Sequence, residues 1–180
     1  MNFDWTILQW IQENLRCAAL DFLMPKITML GNSGMIWIAI ALVMLCTKKY
    51  RKHGIVLLVG LLVGLLVGNI CLKNLVARAR PCWIDPGVPL LIGNPTDYSF
   101  PSGHTLSSVI AATILYDTDK RFGIPAIILA VLIAFSRLYL YVHFPTDVLA
   151  AALLGVLIGK LLHRWHDECG AGPHIKTNIE

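Results

Sequence analysis

Three short polar segments interrupt an otherwise apolar chain of 180 residues. The first is KNLVARARP, in which Lys73 is followed after six residues by Arg80-Pro81. The second is Pro101-Ser102-Gly103-His104. The third begins at Ser136-Arg137, continues after five residues to His143, and after three more to Asp147. Together they hold the cations Lys73, Arg80 and Arg137, two histidines and a carboxylate. Arginine offers a planar fork of donors that matches phosphate oxygens, and lysine adds a point charge. Ser102 and Gly103 stand where a helix would open, with backbone N–H groups at its positive end, and Gly103 allows close backbone approach.

The histidines supply the chemistry that such a seat lacks. His143 and Asp147 are four residues apart, and Pro145 between them suits the first position of a helix. A carboxylate that fixes one ring nitrogen leaves the other free to attack phosphorus. His104 is then placed to protonate the departing oxygen. The sequence therefore points to two-step displacement through a phosphohistidine, with the transferred charge held by fixed cations. Two histidines and one aspartate are a poor match for a closed zinc site, so neither a metal nor another cofactor is expected.

The elements that must position these residues are membrane helices. Hydrophobic residues make up 56% of the chain and charged residues 14%, against about 25% charged in soluble domains. Mean hydropathy is +0.65. The net charge of +4 is modest, and its clusters beside apolar runs suit headgroups or phosphate rather than nucleic acid. Candidate spans cover about 27–46, 54–72, 102–116, 122–135 and 146–162. In the second, Gly60, Gly64 and Gly68 form a small-residue face for close helix approach. The third and fourth spans are short, so they either continue into the adjacent motifs or those motifs lie at membrane depth. Residues 4–15 read as an amphipathic surface helix with Trp5, Leu8, Ile11, Gln12 and Leu15 on one face. The expected fold is all-α: an integral membrane bundle of five to six helices, comprising that helix and about five spans. It divides into residues 1–26, a membrane domain 27–165 and a cytoplasmic tail 166–180, in which His166 and His174 are incidental.

Five spans put nine of the fifteen Lys and Arg residues, in 48–52, 120–121 and at Lys160, Arg164 and Lys176, on one side. That side is cytoplasmic by the positive-inside rule, and the three polar segments fall on the other. The first fifteen residues carry Asp4 and Glu13 and no basic residue, so they lack the charged start of a cleavable signal peptide. Cys17, Cys46, Cys71, Cys82 and Cys169 show no paired spacing and read as small buried hydrophobes.

The three segments resemble the signature motifs of the type 2 phosphatidic acid phosphatase superfamily, matching at Lys73, Arg80, Pro81; Pro101, Ser102, Gly103, His104; and Ser136, Arg137, His143, Asp147. The resemblance covers about residues 29–163. It implies a helical bundle with an outward-facing site and metal-independent hydrolysis of a phosphomonoester or pyrophosphate. It also implies His143 as nucleophile, Asp147 as its partner, His104 as acid, and Lys73, Arg80, Ser102, Gly103 and Arg137 as phosphate ligands. The family's usual count is six spans, and the N-terminal helix stands in for the missing one.

The substrates to weigh are undecaprenyl diphosphate, phosphatidic acid, diacylglycerol pyrophosphate and phosphatidylglycerophosphate, in a bacterial plasma membrane. A non-catalytic lipid-phosphate binder or transporter and a phosphatase for soluble esters are the alternatives. Ser136 either orients a neighbour or caps its helix, and Arg78 is either an accessory headgroup contact or a solvated charge. Tyr139, Tyr141 and Trp83 read as interface aromatics, Asp97 and Tyr98 as loop structure, and residues 81–100 as a partly embedded loop beside the site.

Overall fold

The computed structural model describes residues 3–170; Lys176 and His174 of the expected tail lie outside them. Its elements are α1 (Phe3–Asn14), α2 (Ala18–Leu30), α3 (Met35–Cys46), α4 (Arg51–Gly64), α5 (Lys73–Val76), α6 (Pro81–Ile84), α7 (Gly103–Thr118), α8 (Lys120–Tyr139) and α9 (Pro145–Gly170). α4 widens into a π-helical stretch, Leu65–Leu72, before α5. The stretch Arg51–Ile84, α8 and α9 are each long and apolar enough to cross a membrane. α2 and α3 meet the same test only taken together, across a bend of 44°. The break holds Asn32 and Ser33.

The remaining expected span is α7, and its place differs from that of an ordinary membrane helix. Its 16 residues reach about 24 Å at ~1.5 Å per residue, short of a ~30 Å hydrocarbon core. It is instead the buried centre of the bundle, with Leu106, Ile110, Ala111 and Ile114 at most 1% exposed. Two rows of small residues let it in. A Cβ on Gly64 would stand 2.6 Å from Ile110, and one on Gly60 2.9 Å from the same side chain. On the other flank, a Cβ on Gly155 would stand 2.9 Å from Val109 and one on Gly159 2.8 Å from Thr113. The first row was legible in the sequence; the second, on α9, was not singled out. α8 extends through Ser136-Arg137, so the short fourth span does continue into its motif.

α1 does more than lie on a surface. Leu8 and Ile11 are buried against Tyr139, Leu140, Tyr141, Val142 and Phe144, a second core beside the site. Gln12, on the same face, donates from Nε2 to the Tyr139 carbonyl at 2.9 Å. Tyr139 and Tyr141 are each 2% exposed, which corrects their reading as interface aromatics. Their hydroxyls donate to Asp21 at 2.7 Å and Asp85 at 3.1 Å, so each has a polar partner inside the protein. Cys17, Cys46 and Cys71 are exposed and only Cys82 of the described cysteines is buried, because a membrane bundle also presents apolar residues outward to lipid. α9 runs on to Gly170, and His166 packs on His53 with ring centroids 5.1 Å apart.

The tightest joint is the α7–α8 turn. A Cβ on Gly123 would run into the backbone of Tyr116, 2.7 Å from its nitrogen and closer still to its Cα. Gly123→Ala should lower stability by about 1–3 kcal/mol in thermal unfolding in detergent, as overpacking against backbone does. Gly93→Ala, with no atom within 4 Å of the added Cβ, should leave the midpoint unchanged.

Candidate active site

All three motifs meet at one end of the bundle. The spacing of the first now has a local reason. Lys73 opens the single turn of α5, and Ala77 then takes a left-handed conformation with φ 46°. Arg80 follows with an extended backbone and Pro81 starts α6. This reverses the chain so that Lys73 and Arg80 meet the same carboxylate, that of Asp97.

Arg80 is 2% exposed and all five of its N–H groups have acceptors. Nε donates to the Asp97 carbonyl at 2.7 Å. Nη1 donates to the Val142 carbonyl at 2.7 Å and faces His143 Nε2 at 3.1 Å. Nη2 donates to Asp97 Oδ1 at 2.7 Å and to the Tyr98 carbonyl at 3.2 Å. Burial works to raise the Asp97 carboxyl, but Lys73 and Arg80 outweigh it and hold it at about 2. The contact is therefore ionised throughout the neutral range, and its stabilisation is lost only as pH falls through about 2.

The tautomer of His143 follows from its neighbours. Arginine can only donate, so Nε2 accepts and Nδ1 carries the proton. Nδ1 points toward Asp147 Oδ2 at 3.6 Å and Ser99 Oγ at 3.5 Å. Burial pushes the imidazole well below its ordinary value; Asp147 works against that, and Arg80 and Arg137 reinforce it. His143 is therefore a neutral base at pH 7 with its lone pair aimed at the cations. Just before it, Tyr141 sits at φ 60°, an unusual conformation for a bulky residue, fixed by its buried ring and its bond to Asp85.

Asp147 is wholly buried and looser on His143 than a hydrogen bond. Its oxygens are taken by others: Oδ1 accepts from Arg78 at 2.6 Å, and Oδ2 from Ser99 Oγ at 2.5 Å and from the Phe144 N–H at 2.9 Å. Arg78 is thus neither a headgroup contact nor a solvated charge. It also donates to Asp4 of α1 at 2.6 Å and to Thr146 Oγ1 at 2.7 Å. Asp4 in turn accepts from the Thr146 N–H at 2.9 Å.

The other expected residues sit nearby in different states. Ser102 caps α7, accepting from Thr105 Oγ1 at 3.0 Å, and its own N–H donates to the Asp147 carbonyl at 3.3 Å. That N–H is therefore spent on the protein, whereas Gly103 lines a cavity. A Cβ there would stand 2.7 Å from Oδ1 of Asn69, the movable end of a side chain. His104 bonds Asn32 Oδ1 at 2.9 Å, from the α2–α3 break. Arg137 is 4% exposed; Nη1 donates to Thr28 at 2.5 Å, and its buried Nε has no partner among the described residues. Ser136 donates to the Ile133 carbonyl of its own helix at 2.6 Å, which accounts for its hydroxyl locally.

Sequence reasoning missed Asp4, Asn32, Asp97 and Ser99. Asp97, read as loop structure, lies on the cations themselves. The loop that carries it folds back onto the second core through Val88, Leu90, Leu91 and Ile92. One cavity of about 1140 Å³ joins Lys73, Arg80, Arg137, His104 and His143 to an apolar wall of Ile38, Leu58, Leu61, Leu62 and Leu65. It offers cations and a neutral imidazole at one end and hydrocarbon-like surface at the other, a shape suited to a charged headgroup on an apolar tail.

Comparison with known proteins agrees with this geometry. The family model for the PAP2 superfamily matches residues 52–171. The chain is 36% identical over 162 residues to the undecaprenyl-diphosphatase of Sulfolobus acidocaldarius, covering 89% of this chain and 77% of that one. It is 35% identical over 166 residues to phosphatidylglycerophosphatase B of Bacillus subtilis, covering 83% and 72%. Its fold matches the crystal structure of the PAP2-type phosphatidylglycerolphosphate phosphatase from Bacillus subtilis with a TM-score of 0.78 at 29% identity, over 94% of this chain and 87% of that one. With phosphate-type cations, a neutral histidine and an apolar-walled cavity at one end of a membrane bundle, the chain belongs to the PAP2 superfamily and is a membrane enzyme that hydrolyses lipid phosphates.

Proposed function

We propose that this enzyme is a metal-independent phosphatase for a polyprenyl or glycerolipid phosphate, acting through a phosphohistidine on the extracytoplasmic face. One observation carries the reading: the acceptor nitrogen of a buried, neutral His143 faces Arg80 at 3.1 Å at the cationic end of a cavity with an apolar wall. Undecaprenyl diphosphate is the first substrate to test, since a 36%-identical relative bears the name undecaprenyl-diphosphatase. The extracytoplasmic face is supported by the clustering of basic residues at the opposite end of the bundle.

In the first step His143 Nε2 attacks phosphorus, an N–P bond forms and the P–O bond to the leaving group breaks. His104 protonates the departing oxygen. Charge on the transferred group is held by Lys73, Arg80, Arg137 and the first N–H groups of α7. Asp147 stabilises the proton on Nδ1 as the ring becomes cationic. Water then attacks the phosphohistidine with His104 as base, releasing phosphate and restoring the imidazole. Three fixed cations fill the role that a divalent ion plays in metal-dependent phosphatases.

The test is phosphate release by the purified protein in detergent with EDTA present. Undecaprenyl diphosphate, phosphatidic acid, diacylglycerol pyrophosphate, phosphatidylglycerophosphate and a soluble ester are compared side by side. Release from a lipid should survive EDTA and vanish in His143→Ala. Loss on chelation with rescue by one divalent metal would overturn the metal-free chemistry, and equal turnover of the soluble ester would overturn the lipid specificity. The positioning of Asp147 gives a second expectation. Arg78→Ala should lower kcat by about 10- to 100-fold with little change in KM, because a small misplacement of reacting groups costs that much. Arg78→Lys should not restore it, as one ammonium cannot span Asp4, Thr146 and Asp147 as the guanidinium does.

A further inference from the structure

The cations assigned to phosphate are already held by an anion of the chain. Asp97 Oδ2 meets Lys73 Nζ and Oδ1 accepts from Arg80 Nη2. The two cationic side chains are 8% and 2% exposed, but that of Asp97 is 55% exposed. Of the acceptors around Arg80, Val142, Tyr98 and Asp97 contribute backbone carbonyls and His143 is buried. The Asp97 carboxylate is the one acceptor on an exposed side chain. Its backbone is pinned separately, by Arg80 Nε on its carbonyl and by the Ser99 N–H on the Arg78 carbonyl at 2.8 Å. Side-chain rotation therefore frees the cations without moving the loop. A phosphate that reaches both cations must exchange with this carboxylate.

Resting on the phosphatase reading above, we propose that Asp97 is a specificity-determining residue that screens phosphate groups by charge: its carboxylate keeps Lys73 and Arg80 until a doubly charged phosphate displaces it. A phosphodiester carries one negative charge and two free oxygens, the same as the carboxylate, so the exchange gains nothing. A phosphomonoester, or the terminal phosphate of a diphosphate, carries about −1.5 to −2 and a third free oxygen. Arg137, which lines the same cavity, is a further donor for the extra oxygen. The screen has a purpose in a bilayer, whose bulk headgroups are phosphodiesters at high local concentration. A bare cation pair opening onto an apolar cavity would fill with them.

The test is direct binding by the full chain in detergent, titrated with inorganic phosphate and with short-chain phosphatidylglycerol as the diester probe. The wild type should bind phosphate and not the diester. Asp97→Asn should bind phosphate about tenfold more tightly and gain diester binding, as loss of one charge-assisted contact to the competitor predicts. Asp97→Ser removes the charge a second way, in case the amide variant fails to fold, and Asp97→Glu keeps it and should still exclude the diester. Weaker phosphate binding in both neutral variants would overturn the proposal and make Asp97 an organiser of the cations. Continued exclusion of the diester by both would overturn it as well. If phosphate binds and lipid phosphate is hydrolysed by the wild type, either result leaves the phosphatase reading standing. A wild type that binds no phosphate would overturn the seat and this inference together.

Discussion

A buried guanidinium governs this end of the molecule. Arg80 is 2% exposed at the edge of an apolar bundle, where an uncompensated charge costs several kcal/mol. Each of its five N–H groups therefore needs an acceptor, and the acceptors come from two segments far apart in sequence. The loop before α7 supplies the Asp97 and Tyr98 carbonyls and the Asp97 carboxylate. The turn after α8 supplies Val142 and His143. The course of both segments is in large part the coordination of one side chain. His143 has its acceptor nitrogen turned toward the cations because it is one of those acceptors.

The second requirement is that a helix should start inside the bundle. α7 can do so because glycine rows on α4 and α9 thin both flanks, leaving room for Leu106, Val109, Ile110 and Thr113. Its Ser102 cap, Gly103 and His104 then sit at the cations instead of at a solvated rim. The positive end of that helix favours an anion there. The cavity beside it offers that anion a route lined with apolar side chains.

The cations, the His143–Asp147 spacing and the helix start were legible because each is a local pattern: residue types at fixed separations beside apolar runs. What was illegible depends on partners distant in the chain. Asp97 lies in a Pro-rich turn where an aspartate ordinarily serves the backbone, and its partners Lys73 and Arg80 are 24 and 17 positions away. Asp4 looks like the acidic first turn of any amphipathic helix, yet its partner Thr146 is 142 positions away. Tyr139 and Tyr141 have the same amphipathic rings whether they face headgroups or a polar core. Only Asp21 and Asp85, reached through folding, decide between the two. The place of the α7 span was legible and its burial was not, since composition cannot separate a helix sheathed by protein from one sheathed by lipid.

The same distinction changes the standing of the N-terminal helix. A helix that only rested on a bilayer would keep its acidic residue in water, but Asp4 is 8% exposed and bonded to Arg78 and Thr146. Arg78 spans from that carboxylate to Asp147, so α1 is joined to the candidate catalytic histidine through two ion pairs. Leu8 and Ile11 hold the helix where this linkage can form, against the turn that carries His143. With Arg78, Ser99 and the Phe144 N–H on its oxygens, Asp147 is too heavily solvated by the protein to be a good proton acceptor. Its effect on His143 is then electrostatic and orienting, and α1 contributes to that effect by fixing where the charge lies.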